Sequence, residues 1–360
     1  MKAIITITVL YWFVQNNVWA HIPEGYYTTA EGKSGYELKT ALYDIIKGHT
    51  VQSYNALWGN FEATDQRADG KVWDMYADCD LTFGTDQDNG TSGTSECQKF
   101  NREHSFPRSW FGGSVSPMNS DIFHLYPTDK KVNSERGNLP FGEVSNASYT
   151  SGNGSQRGSS VVAIAGYSGQ VFEPIDEFKG DFARTYFYMA TRYENVIASW
   201  ESNSNEANAT LNGTSDQVYE RWLLEMLYAW HTDDPVSQKE LDRNNAVYEI
   251  QDNRNPYIDH PEWVGNVWGF TSLPDIPTSL GEELVEETVL YPVPTTSKQG
   301  IYLKAPATRV YQVSITDMMG KEVSNQLVST YIDTSTCVSG CYFIHFKNQN
   351  QRFTKRIVVL

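Results

Sequence analysis

Residues 100–110 read "FNREHSFPRSW". A carboxylate and an imidazole stand side by side at Glu103 and His104, with Arg102 before them and Arg108 after. By itself such a stretch reads as a solvated ion cluster, because adjacent Glu-His pairs are common. The next polar run changes what it can be part of. In "TDKKVNSERGN", residues 128–138, Thr128 or Asp129 is a fitting N-cap and Gly137 a fitting stop, so a short helix is expected. On it Asn133 and Arg136 are three apart and share a face. A strand carrying His104 packed on a helix carrying Asn133 makes a local α+β unit. Neighbours on an ideal strand point to opposite sides, so Glu103 and His104 converge only where the backbone kinks.

The residue types suit one chemistry. Hydrolysis of a phosphodiester needs a base that is neutral near pH 7, and histidine has the ordinary pKa for it. Charge building on the phosphorus oxygens can be absorbed by a hard divalent cation. Mg²⁺ keeps several waters and takes one or two protein oxygens, so a carboxylate and an amide oxygen suffice. His104, Glu103 and Asn133 are that kit. An asparagine in a polar helix is more often an ordinary surface residue, and the three positions alone do not decide the matter.

Outward from this unit, "SGYELKTALYDIIKGH" has a Ser34 N-cap and apolar residues at helical spacing: Leu38, Leu42, Ile45 and Ile46. "NALWGNFEATD" predicts a second short element, and "KVWDMYAD" (71–78) an aromatic strand. "SSVVAIAGYSGQVFEPI" predicts strand–turn–strand. "DFARTYFYMATRYENVIASW" predicts a helix with Phe182, Tyr186, Met189, Ala190 and Tyr193 along one face. Two more helices follow, broken at Pro235, and "DNRNPYIDHPEWV" closes the unit with Asn/Pro turns. The order is mixed, so residues 21–275 are expected to form one α+β domain. Pro, Ser and Glu accumulate over 276–286 as in a linker. Residues 287–360 alternate apolar and polar residues between turns, which predicts a small all-β sandwich.

Composition bounds the rest. The 360 residues are 40% hydrophobic and 13% aromatic, enough for a packed core. The formal charge of −16 argues against general stickiness to nucleic acid. Locally the balance differs: residues 101–136 hold five Lys/Arg against four Asp/Glu. Lys2, the apolar "AIITITVLYWFV" and "VWA" ending at Ala20 read as a signal peptide over 1–20, too short to span a membrane. No later stretch is apolar and long enough for a span. Export permits disulfides, and Cys79–Cys97 would staple the polar loop between them, whereas Cys337 and Cys341 lie four apart with their pairing open. No Cys/His spacing supports zinc.

"FNREHSFPRSW" followed by "SDIFHLYPTDKKVNSERGNLPFGEV" resembles the endonuclease I family of secreted bacterial nucleases with a ββα-metal (His-Me finger) site. The pattern is an E-H pair and a Pro, then D-x-H-x-L-x-P, then V-N-x-x-R-x-N. It is matched here by Glu103, His104, Asp121, His124, Leu125, Pro127, Val132, Asn133, Arg136 and Asn138. The resemblance covers roughly residues 30–265. It implies His104 as general base, with Glu103 and Asn133 on one Mg²⁺ (Mn²⁺ or Ca²⁺ as alternatives). It also implies cleavage of DNA and RNA to 5′-phosphate products. Arg136 matches a family arginine for which a phosphate contact and a structural ion pair both stand open. Arg184, in "ARTYFYM", matches another, read as a phosphate contact. No dedicated transition-state cation can be placed; Arg108 is the candidate. His124 reads as a structural histidine and Asp121 as a cap. The C-terminal stretches "VLYPVPTTSKQGIYLK", "YQVSITDMMGKEV" and "SGCYFIHFKNQNQRFTKRIVVL" resemble the sorting domain of the type IX secretion system, with Tyr291-Pro292-Val293-Pro294 where Y-P-N-P is usual. That implies a secretion-machinery partner and a secreted or cell-surface protein, exported through the periplasm; a monomer is expected, with the oligomeric state left open by the sequence.

Two rivals remain at this level: an extracellular nuclease restricted to RNA, and a non-enzymatic surface or sugar-binding protein whose 22 Tyr and 10 Trp form binding platforms.

Overall fold

A computed structural model describes residues 22–90, 94–161, 167–269, 289–291, 295–296, 300–304, 311–317, 321–328, 331–347 and 352–359. The expected signal peptide (1–20) and linker (276–286) lie outside the described residues.

The first region is mixed α+β. Helices α1 (Gly35–Ile46) and α2 (Leu57–Thr64) lead into strand β1 (Phe100–His104). Strand β2 (Leu125–Asp129) pairs antiparallel with β1, with His104 opposite Leu125 and Glu103 opposite Tyr126. Helix α3 (Lys130–Arg136) starts directly from β2. Asp129 makes that junction: its side chain accepts from the backbone N–H groups of Lys131 and Val132. Gly137 ends the helix at φ 58°, ψ −127°, a conformation open to glycine. Three antiparallel strands follow, β3 (Val144–Thr150), β4 (Gln156–Ser160) and β5 (Gln170–Glu173).

Helix α4 (Lys179–Arg192) is the centre of this region. Its predicted apolar face is present, but every one of its residues is buried, polar ones included. Burial is tolerable because those polar groups are paired: Lys179 with Glu143 and Glu173, Arg184 with Glu240, Thr185 with Tyr126, Thr191 with Tyr257. Around it lie α5 (Asn205–Thr210), α6 (Arg221–Asp233), α7 (Gln238–Gln251), α8 (Pro256–Asp259) and α9 (Glu262–Trp268). The break at Pro235 falls between α6 and α7, and Ser237 opens α7 with a capping box to Glu240.

Two expectations need correction. Residues 71–78 form only isolated bridges, Gln66 to Val72 and Lys71 to Thr82, and no strand. The chain is turned there by Asp74, whose Oδ1 accepts the N–H of Tyr76 and whose Oδ2 accepts that of Asp129. "NPYIDHPEWV" is helical rather than a run of turns, because Asn255 caps Tyr257 and Pro256 sits at the first helical position, where proline is at home.

The C-terminal region is antiparallel β. Strands β6 (Val289–Tyr291), β7 (Ile301–Lys304), β8 (Tyr311–Asp317), β9 (Glu322–Val328), β10 (Tyr331–Ile332), β11 (Gly340–Lys347) and β12 (Arg352–Val359) form two sheets, ordered β10-β7-β6 and β12-β11-β8-β9. Ile301, Ile332, Val313, Ile344 and Ile357 from both sheets share one core, separate from that of residues 27–268. Strand β9 forms although "KEVSNQLV" carries few apolar residues. None of the described helices is long and apolar enough to cross a membrane. Cys79 and Cys97 are joined by a disulfide with Cα atoms 5.1 Å apart, and Cys337 and Cys341 remain thiols.

Candidate active site

The β1–β2 ladder and α3 bring Glu103, Asn133 and Arg136 together, with His104 next along β1, where the ladder register runs unbroken through both residues. Strand alternation sorts them. Asn101 and Glu103 meet α3 and the segment at Tyr76: Asn133 Nδ2 donates to Asn101 Oδ1 at 2.7 Å, and Glu103 Oε1 accepts from Tyr76 Oη at 2.9 Å and Arg136 Nη1 at 3.0 Å. Arg102 and His104 meet other neighbours. The His104 ring stacks on Tyr54 at 5.9 Å and lies 5.5 Å from the ring of His124.

The tautomer of His104 follows from its partner. Nε2 lies 3.2 Å from the carbonyl oxygen of Asn119. A carbonyl only accepts, so Nε2 carries the proton and Nδ1 keeps its lone pair. Nδ1 has no hydrogen-bond partner among the described residues. Burial holds the imidazole well below its ordinary pKa, helped by His124 and Arg108. The ring is therefore neutral near pH 7 with one nitrogen ready to take a proton.

Burial raises the Glu103 carboxyl, against donation from Arg136, Tyr76 and the Asn133 amide. Its Oε1 is filled by two donors. Asn133 Oδ1 accepts nothing from the described residues. A buried carboxylate that favours added positive charge, beside an open amide oxygen, is a donor set that fits a hard divalent cation. No group of three or more His, Cys, Asp or Glu that could hold a metal ion occurs among the described residues.

The three expected phosphate arginines part company. Arg136 is 1% exposed and also donates to the carbonyl oxygens of His104 at 2.9 Å and Ser105 at 2.5 Å, so it is the structural ion pair of the two roles left open. Arg184 is 0% exposed and forked onto Glu240 at 2.5 and 2.8 Å; with no surface it does not reach a phosphate, and that expectation is corrected. Arg108 is exposed at the start of a 3₁₀ turn, Arg108–Phe111, whose Phe111 ring lies 6.0 Å from His104. It holds no carboxylate among the described residues.

His124 and Asp121 stiffen the site from behind. His124 is 0% exposed, and its Nε2 lies 2.7 Å from the carbonyl oxygen of Met118, while its own carbonyl accepts from Ser105 N and Oγ. Asp121 caps the turn Ile122–His124 and accepts from Tyr188, Tyr193 and Gln251. Cationic and imidazole neighbours hold its carboxyl down to about 2 despite burial.

Sequence reasoning missed Asn101, Tyr76, Tyr54 and Asn119. Asn101 was findable, since i and i+2 on a strand share a face and Glu103 was already singled out. The other three arrive from distant loops and carry no local signal.

Residues 34–262 match the Endonuclease I family, and residues 289–360 match a secretion system C-terminal sorting domain. An extracellular ribonuclease of Bacillus amyloliquefaciens is 38% identical over 248 residues, 68% of this chain and 78% of that protein. An extracellular ribonuclease of Bacillus subtilis is 37% identical over 248 residues, with the same shares of each chain. An extracellular deoxyribonuclease of Aeromonas hydrophila is 24% identical over 173 residues, 48% of this chain and 56% of that protein.

Proposed function

Because the chain belongs to the endonuclease I family, we propose that it is a one-metal endonuclease whose ββα-metal finger is β1, β2 and α3. It is a nuclease exported to the cell surface or medium by its secretion sorting domain. The two C-terminal sheets are read as the sandwich of that domain, beginning near residue 287, with the nuclease domain spanning 21–275.

The observation that carries the mechanism is the His104–Asn119 contact, which leaves Nδ1 as a fixed proton acceptor. His104 takes a proton from water as it attacks phosphorus. Glu103 and Asn133 supply the two protein oxygens for Mg²⁺, which when bound neutralises charge on the phosphate and the departing 3′ oxygen. Arg136 and Tyr76 hold Glu103 in place, and Arg108 reaches toward the phosphate from the rim. Attack by water does not use the 2′-hydroxyl, so DNA and RNA are both substrates and the products carry 5′-phosphates. The Bacillus relatives named as ribonucleases favour a second reading, in which RNA is the physiological substrate.

Purified protein incubated with plasmid DNA and with total RNA, with and without EDTA, tests this. Digestion of both, stopped by EDTA and restored by Mg²⁺, is expected. Digestion of RNA alone selects the narrower reading. No digestion with Mg²⁺, Mn²⁺ or Ca²⁺ overturns the enzyme assignment.

A further inference from the structure

We propose that Arg102, held over the rings of Tyr54 and Trp58, binds the phosphate adjacent to the scissile one, so that the site takes a strand bearing consecutive phosphates. The proposal rests on the nuclease reading above. Arg102 and His104 are two apart on β1 and lie on the same strand face, about 7 Å along the strand. That is comparable to the separation of neighbouring phosphates on one nucleic-acid strand. A single ring ties the two together. Tyr54 stacks on His104, and the Arg102 guanidinium carbon lies 3.7 Å from the same ring's centroid and 4.3 Å from that of Trp58.

The electrostatic setting of Arg102 is unlike that of most arginines in the chain. Arg67, Arg136, Arg157, Arg184, Arg221, Arg243 and Arg254 each hold a carboxylate, and the buried Arg192 donates to His49. Arg102 holds none among the described residues. Its Nη1 donates to the Tyr54 carbonyl oxygen at 2.7 Å, and its Nε and Nη2 donate to none of them. Asp88, the acid that acts on it electrostatically, is engaged by Lys130 at 2.9 Å. Arg102 is therefore a half-buried cation with free donors and no counter-charge, and the exposed Arg108, which also holds no carboxylate among the described residues, acts electrostatically on the same imidazole. The rings and the carbonyl fix the guanidinium plane, so an incoming phosphate finds a fork that is already oriented.

The test compares a trinucleoside diphosphate with a dinucleoside monophosphate in Mg²⁺, for wild type, Arg102→Ala and Arg102→Lys. Wild type is expected to favour the longer substrate by about tenfold or more in kcat/KM. Arg102→Ala shrinks that ratio about tenfold, and Arg102→Lys restores part of it. With single-stranded oligonucleotides, the slope of log kcat/KM against log salt becomes shallower by about 0.7 in Arg102→Ala, the loss of one phosphate contact. Thermal unfolding identifies a misfolded alanine variant, in which case the lysine variant carries the comparison. Equal loss on both substrates, with the ratio and the salt slope intact, overturns the proposal and leaves the nuclease standing. A wild-type protein that cuts neither these substrates nor plasmid and RNA overturns both.

Discussion

Arg136 Nη1 stands 3.0 Å from Glu103 Oε1, and both side chains are buried. The same guanidinium donates to the backbone carbonyls of His104 and Ser105. It thus ties the carboxylate and the strand end that carries the imidazole into one rigid corner. Removing it strands a buried charge, and the cost is set by that charge rather than by the lost contact. Arg136→Ala should lose about 3–5 kcal/mol in urea unfolding, and Arg136→Lys less, since lysine restores charge without the fork. Tryptophan fluorescence reports the relevant region, because no Trp follows Trp268. A loss under about 1 kcal/mol would show that Glu103 is solvated.

His104→Ala should lower kcat by about 10²–10⁴-fold, the usual contribution of a positioned base, with little change in the unfolding midpoint. The pH profile gives an independent check. The active form is the neutral ring, and burial lowers its pKa well below 6.5. Activity is lost as pH falls through the lowered value, so the acid limb of kcat/KM against pH should lie below pH 6.5. A limb above it would mean that the ring is solvated or paired with an acid in solution.

Asp129→Ala should cost about 1–2 kcal/mol, because two backbone N–H groups at the start of α3 lose their acceptor. Since α3 carries Asn133, the Mg²⁺ concentration for half-maximal rate should rise as well. A variant that loses stability but keeps the same Mg²⁺ requirement would separate the cap from the metal.

The Cys79–Cys97 disulfide closes a loop with a sequence separation of 18. Chain-entropy reasoning puts its contribution at about 3 kcal/mol. The double variant Cys79→Ser, Cys97→Ser should show that loss in denaturant unfolding. An unchanged midpoint would mean that the reduced loop is already ordered by its own contacts.

His231 gives stability a pH dependence far from the catalytic residues. Burial and the nearby Arg184 guanidinium lower its pKa to about 4. Between pH 6.5 and 4 the unfolded chain binds a proton there that the folded chain refuses, so stability falls as pH falls. The full loss is on the order of 3 kcal/mol. Urea midpoints of wild type and His231→Gln across pH 4–7 should converge toward the acid end. Parallel curves would remove His231 from the account.

Local rules made much of the fold legible. Helices α1, α4, α6 and α7 declare themselves by spacing, though the expected Ser34 cap of α1 makes no side-chain hydrogen bond, and α3 by Asp129 and Gly137. The candidate ligands Glu103 and Asn133 and the candidate base His104 stood out by residue type and motif. What stayed hidden depends on distant chain segments. Tyr76 reaches Glu103 only because Asp74 bends residues 71–78 out of the strand their aromatic content suggested. Arg184 looked like a phosphate ligand because a sequence shows its charge and not Glu240, 56 residues away. Arg102 looked like an ordinary flanking charge until Tyr54 and Trp58 were brought against it.

The pairing of His104 with Leu125 as the last rung of the β1–β2 ladder has a consequence for how such proteins diversify. Everything from Ser105 to His124 is a lobe hung from a closed hairpin stem. Lengthening such a lobe costs little, because closure entropy grows only with the logarithm of its length. The rung below stays in register however the lobe is remodelled. The lobe that carries Arg108 and Asn119 can therefore change in length without shifting the register of the β1–β2 stem beneath it.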